Sequence, residues 1–109
     1  MAFDENLADR IRHALARKKN IDEKKMFGGI GFLLNGNMLV GVWKDSLIVR
    51  LGHDDGDKAL LEPHVRPFDI TGRAMKGWLL VEPEGVQDDA ELTAWIQQAA
   101  KFVGSLPAK

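Results

Sequence analysis

Cysteine is absent from the 109-residue sequence. That excludes a disulfide scaffold, a thiolate nucleophile, a zinc ribbon and iron–sulfur ligation together. No apolar run approaches the roughly 20 residues that a membrane-spanning helix requires. The opening Met1-Ala2-Phe3-Asp4-Glu5-Asn6 is acidic and lacks the basic start and apolar run of a secretory signal. The expectation is a cytoplasmic protein with no membrane contact. A charge excess of either sign is missing too: 15 Lys and Arg face 16 Asp and Glu, a net charge of −1. Dedicated nucleic-acid binders take most of their affinity from phosphate contacts and carry a clear positive excess. The distribution is uneven, with seven basic against five acidic residues over 1–25 and five acidic against none over 77–100. That permits a weak local basic face and no more.

What is present is the balance of an ordinary globular protein, 45% hydrophobic and 28% charged. The length suits one domain over residues 1–109, able to bury a core without metals or disulfides. Leu7, Ile11 and Leu15, with Ala8 and Ala14, make one apolar helical stripe. Asp4 suits its N-cap, and Arg17-Lys18-Lys19-Asn20 suits its exit. Ile30–Leu34, Met38–Trp43 and Ser46–Leu51 then read as three strands of an antiparallel meander. Asn35-Gly36 is a strong hairpin signal, and Lys44-Asp45 gives a second turn. A short helix follows His53-Asp54-Asp55-Gly56 and stops before Pro63. Val65–Ile70 reads as a fourth strand, with Pro67 implying an irregular side, and Trp78–Val81 as a fifth. Leu92, Trp95, Ile96, Ala99, Phe102, Val103 and Leu106 keep helical spacing behind a capping-box start at Asp88 and Glu91. The expected class is α+β, a two-layer α-β(3)-α-β(2)-α order with one five-stranded, mainly antiparallel sheet.

Both faces of the meander read as apolar. Phe32, Leu34, Val40, Val42, Leu47 and Val49 share one alternation, and Leu33, Leu39, Trp43 and Ile48 the other. Either the helices cover both faces between them, or the second set meets another chain, a homodimer being one form of it.

Lys24-Lys25-Met26-Phe27-Gly28-Gly29-Ile30-Gly31-Phe32, then Asn35-Gly36-Asn37-Met38 and Leu47-Ile48-Val49-Arg50-Leu51, resemble the N-terminal domain of the TfoX/Sxy family. Arg66-Pro67-Phe68-Asp69-Ile70-Thr71-Gly72-Arg73-Ala74-Met75-Lys76-Gly77-Trp78 is similar to its short, stand-alone bacterial members, and the match runs from about Leu7 to Leu106. The resemblance implies an antiparallel-sheet fold similar to type III secretion chaperones. It also implies regulation of natural competence and DNA uptake by assisting a transcription activator. Full-length members carry a second, helical domain beyond the point where this sequence ends.

Catalytic and metal signatures fail one by one. Gly28-Gly29-Ile30-Gly31 is not G-x-G-x-x-G and leads into no helix, and Trp78-Leu79 stands where a P-loop spaced from Gly72 and Gly77 needs Lys and Ser/Thr. The first cluster reads instead as a bulge or bend between Phe27 and Phe32. His13, His53 and His64 have no ligand spacing, and Val65 replaces the closing glutamate of a calcium loop begun at Asp54. Ser46 and Ser105, the only serines, lie in no nucleophile elbow. No enzyme activity, catalytic residue, metal or cofactor is expected. A protein partner is the leading expectation. The runner-up is a nucleic-acid or partner contact along a basic, aromatic edge of Lys24, Lys25, Phe27, Arg73, Lys76 and Trp78. A third reading is a small-molecule pocket between the final helix and the sheet, near Trp78 and Trp95.

Overall fold

Helix α1, Glu5–Ala14, begins where Asp4 accepts a hydrogen bond from the Leu7 amide at 3.1 Å, and it buries Leu7, Ala8 and Ile11. The helix stops three residues before Arg17. Asn20 then turns the chain at a φ of 64°, and its carbonyl accepts from the Asn35 amide at 3.0 Å. The computed structural model describes residues 3–26, 28–69, 72 and 75–108.

A single six-stranded antiparallel sheet follows, built from β1 (Ile21–Met26), β2 (Gly29–Leu34), β3 (Asn37–Trp43), β4 (Ser46–Arg50), β5 (Val65–Pro67) and β6 (Trp78–Val81). Its order is β1-β2-β3-β4-β6-β5. The α+β class, the meander and the closing helix agree with the expected order, and β1 adds a strand ahead of it. That strand carries Asp22, Glu23, Lys24 and Lys25, all exposed, and pairs on one side only. Charged residues on an outer strand discourage a second chain from adding to the ladder, and they hide the strand from a hydrophobicity reading. Asn35 and Gly36 have φ values of 53° and 82°, the doubly positive geometry expected of that hairpin. At the second turn Lys44 has a φ of 55°. The fourth strand ends at Pro67, short of Phe68, although the Phe68 amide still donates to the Trp78 carbonyl at 3.3 Å. Ile70 lies outside the described residues.

Helix α2, His53–Ala59, and helix α3, Asp89–Val103, join α1 on one face of the sheet. Asp88 and Glu91 cap α3 reciprocally: Asp88 accepts from the Glu91 amide at 2.8 Å, and Glu91 from the Asp88 amide. Under the helices lie Ile30, Phe32, Leu34, Val40, Val42, Leu47, Val49, Leu79 and Val81. Arg10 clamps α1 to the start of α3, donating to the Asp89 carboxylate at 2.9 Å and to the Val86 carbonyl at 2.8 Å.

The helices do not divide the two faces between them. The opposite face is partly covered by the chain between β5 and β6, where Phe68 is fully buried against Ile48, Leu80 and Met38. Phe68 stacks on Trp78, with ring centres 6.0 Å apart. Ile48 therefore lies on the second face as read, but beneath that cover. Trp43 and Leu33 are half-buried, Trp43 packing against the same cluster. Leu39 is a correction to the proposed self-association set. It is fully buried in the helix-side core, because the register slips between Phe32 and Leu33. Phe32 pairs with Val40 and Leu33 with Met38, so Leu39 is the extra residue of a bulge and points the same way as Val40.

Candidate functional site

The basic edge expected from the sequence does not assemble. Lys24 and Lys25 lie on β1, the outermost strand, whereas Lys76 immediately precedes the β6 ladder, four strand positions away. At about 4.8 Å per strand that is about 19 Å across the sheet. The two lysines also point to opposite faces, since Lys24 pairs with Gly31 and Lys25 with Ile30, a residue of the helix-side core. Phe27 and Arg73 lie outside the described residues.

Lys76 and Trp78 meet a different set of side chains. Strand β4 ends at Arg50, which pairs directly with Trp78 on β6. The Arg50 guanidinium lies 5.0 Å from the centre of the Trp78 ring and 5.9 Å from that of Phe102, in the last turn of α3. With Gly52, His53, Lys76 and Gly77 these three line a cleft of about 160 Å³. A guanidinium over aromatic faces is attracted by the ring quadrupoles, and a cation suits the negative end of α3. Burial lowers the Arg50 pKa from its ordinary value, yet a guanidinium stays charged at neutral pH.

The half-buried arginines otherwise have carboxylate partners. Arg10 bonds Asp89, and Arg12 bonds Glu23 at 2.9 Å and also Asp9. The Glu23 hydrogen bond is the largest cause raising the Arg12 pKa. Arg50 has no such partner within 4.0 Å among the described residues. Among the described residues its charge is held by the Trp78 and Phe102 rings.

A close backbone crossing shapes the floor of the cleft. The Gly77 carbonyl accepts from the amides of Leu51 at 2.8 Å and Gly52 at 3.3 Å. Gly77 has a φ of 83°, and a Cβ there would stand 2.9 Å from the Gly52 carbonyl carbon. A Cβ on Gly52 would in turn meet the Phe102 ring at 2.6 Å. These glycines are spacers that let β4, the start of β6 and α3 converge on Arg50. A second depression, which shares Gly52, His53 and Phe102 with the cleft, is also lined by Leu51, Asp54 and Asp55.

Sequence reasoning named Lys76 and Trp78 but missed Arg50, His53 and Phe102. The available signal was slight: Arg50 ends an apolar strand, where an arginine reads as a polar terminus, and Phe102 fits a helical core stripe. Trp95 packs against the main core and does not line the cleft. Within the glycine cluster Gly28 has a φ of 75° in the bend between β1 and β2, and Gly31 is a spacer, since a Cβ there would meet the sulfurs of Met26 and Met38 at 2.9 Å. Asp54 and Asp55 occupy the first turn of α2, and Ser46 is buried in β4 with its hydroxyl 3.5 Å from the Asp45 carboxylate. Among the described residues, no group of three or more His, Asp or Glu is placed to hold a metal ion, and no helix is long and apolar enough to cross a membrane.

Neither a curated protein nor a solved structure matches this chain. The sequence profile of the TfoX N-terminal domain matches residues 13–103, which include the whole sheet, the Arg50 cleft and α3. The chain belongs to the TfoX N-terminal domain family.

Proposed function

We propose that this protein is a regulatory adaptor domain that binds a protein partner through the Arg50 cleft and carries no catalytic step. One observation carries the reading: a half-buried guanidinium is held over Trp78 and Phe102 with no carboxylate partner among the described residues. Arginine and tryptophan at the centre of a shaped recess are the residue types on which protein interfaces concentrate their binding energy. The near-neutral charge and the separation of Lys24 and Lys25 from Lys76 favour protein over nucleic acid. Membership of the family is consistent with a regulatory role; a transcription activator acting in the control of competence is the partner proposed.

Photo-crosslinking tests this directly. A benzoylphenylalanine in place of Lys76, which is exposed at the rim, should give a discrete protein adduct in cells. Adding Arg50→Ala should remove that adduct, with circular dichroism checking that the variant stays folded after losing its packing on Trp78 and Phe102. Adducts of nucleic acid alone, or protein adducts indifferent to Arg50, would defeat the reading.

A further inference from the structure

We infer that the Arg50 cleft takes a single carboxylate, the side chain of an acidic residue on a partner peptide. The inference rests on the adaptor reading and names the chemistry of what the cleft receives.

Three features converge on it. The first is the vacant donor set. Arg10 and Arg12 show that half-buried arginines in this fold acquire carboxylates from their own chain, whereas Arg50 keeps its N–H groups unused among the described residues. A guanidinium presents a planar fork that matches a carboxylate bidentately. Two aromatic rings restrict that fork before any ligand arrives, so less side-chain entropy is lost on binding.

The second feature is size. About 160 Å³ between Arg50, Lys76, Trp78 and Phe102 suits one acidic group with its methylene stem, not a nucleoside. The methylenes would lie against the aromatic walls while the oxygens meet Arg50 and Lys76.

The third is the pattern of charge. Lys76 lines the cleft with Arg50, but Asp54 and Asp55 line an adjoining depression that shares Gly52, His53 and Phe102 with it. Both aspartates repel a negatively charged ligand that extends into that depression. A ligand with one negative charge sits on the cation and avoids them. A phosphodiester chain running on from the cleft meets repulsion instead. The Leu51 and Gly52 amides are already given to the Gly77 carbonyl, so they cannot cradle a phosphate.

The test is an NMR titration of the isotopically labelled chain with a capped Gly-Ser peptide carrying one central glutamate, at fixed ionic strength. Its glutamine counterpart serves as the uncharged control. Saturable shifts are expected at the Arg50 Nε–H, the Trp78 indole N–H and the amides of Gly52, Lys76 and Gly77, with none from the glutamine peptide. Arg50→Lys should weaken binding by about tenfold through loss of the fork. Lys76→Ala, at an exposed position, should weaken it by about two- to threefold and keeps the test valid if the arginine variant unfolds. Equal shifts from both peptides, or unchanged affinity in both variants, would overturn the proposal. Tighter saturation of the same residues by inorganic phosphate or a short DNA duplex would overturn the carboxylate assignment alone. The adaptor reading stands or falls separately, on the protein adduct at position 76.

Discussion

Replacing Gly77 with alanine should be among the most damaging single-methyl additions in this fold. Two costs add. Gly77 has a φ of 83°, and a side chain in the left-handed region costs about 1–2 kcal/mol. The new Cβ would also stand 2.9, 3.1 and 3.3 Å from the carbonyl carbon, Cα and nitrogen of Gly52. All three are backbone atoms that cannot swing aside, so relief requires β6 and the β4–α2 junction to part, a packing cost of about 1–3 kcal/mol. The sum, about 2–5 kcal/mol, is a large part of an ordinary domain's stability of about 5–15 kcal/mol. At about 4–6 °C per kcal/mol for a chain of this size, the melting temperature should fall by about 8–30 °C. Gly72→Ala supplies the control: its φ is 89°, but beyond its chain neighbours no described residue comes within 4 Å of the added carbon. It bears the dihedral cost alone, about 1–2 kcal/mol. Urea denaturation of both variants isolates the crossing as the difference between them, about 1–3 kcal/mol. A difference below about 0.5 kcal/mol would refute the claim that this backbone approach sets the geometry around Arg50.

Other substitutions separate further parts of the account. Leu39→Ala should cost about 2–5 kcal/mol in chemical denaturation, as for a fully buried leucine, whereas Leu33→Ala should cost distinctly less; equal costs would contradict the bulge that turns Leu39 into the core. Asp88→Ala should lower stability by about 1 kcal/mol through loss of the α3 cap, with hydrogen exchange rising first in the 89–92 amides. Arg10→Ala should cost about 1–2 kcal/mol in urea, most of it from the Val86 carbonyl bond, so that raising the salt concentration recovers little of the loss.

The elements legible in the sequence are those whose residues report their own surroundings. The Asn35-Gly36 turn and the Asp88 and Glu91 capping box encode local geometry and take the expected form, and the stripe from Leu92 is helical as far as Val103, stopping short of the expected Leu106. Strand β1 was illegible for the opposite reason. Its inward residues Ile21 and Met26 stand at its two ends, and the four residues between are held by backbone pairing with β2. Leu39 was misplaced because period-two alternation counts residues, and a bulge inserts one without marking the sequence.

The cleft was hidden by the same logic at longer range. Arg50, Trp78 and Phe102 lie on three separate elements, and none is unusual alone. Their meeting depends on Gly52 and Gly77, which a sequence reading treats as turn punctuation. Removing a side chain from both crossing strands lets the chain after β4 and the start of β6 touch through backbone. That contact brings the Trp78 ring under a guanidinium, while α3 supplies the second ring from the other side. A buried arginine is ordinarily stabilised by a carboxylate from its own chain, and here the rings do that work and leave the fork open. The arrangement is self-consistent as a receptor only if the missing carboxylate comes from elsewhere, which is why an added glutamate is the decisive probe.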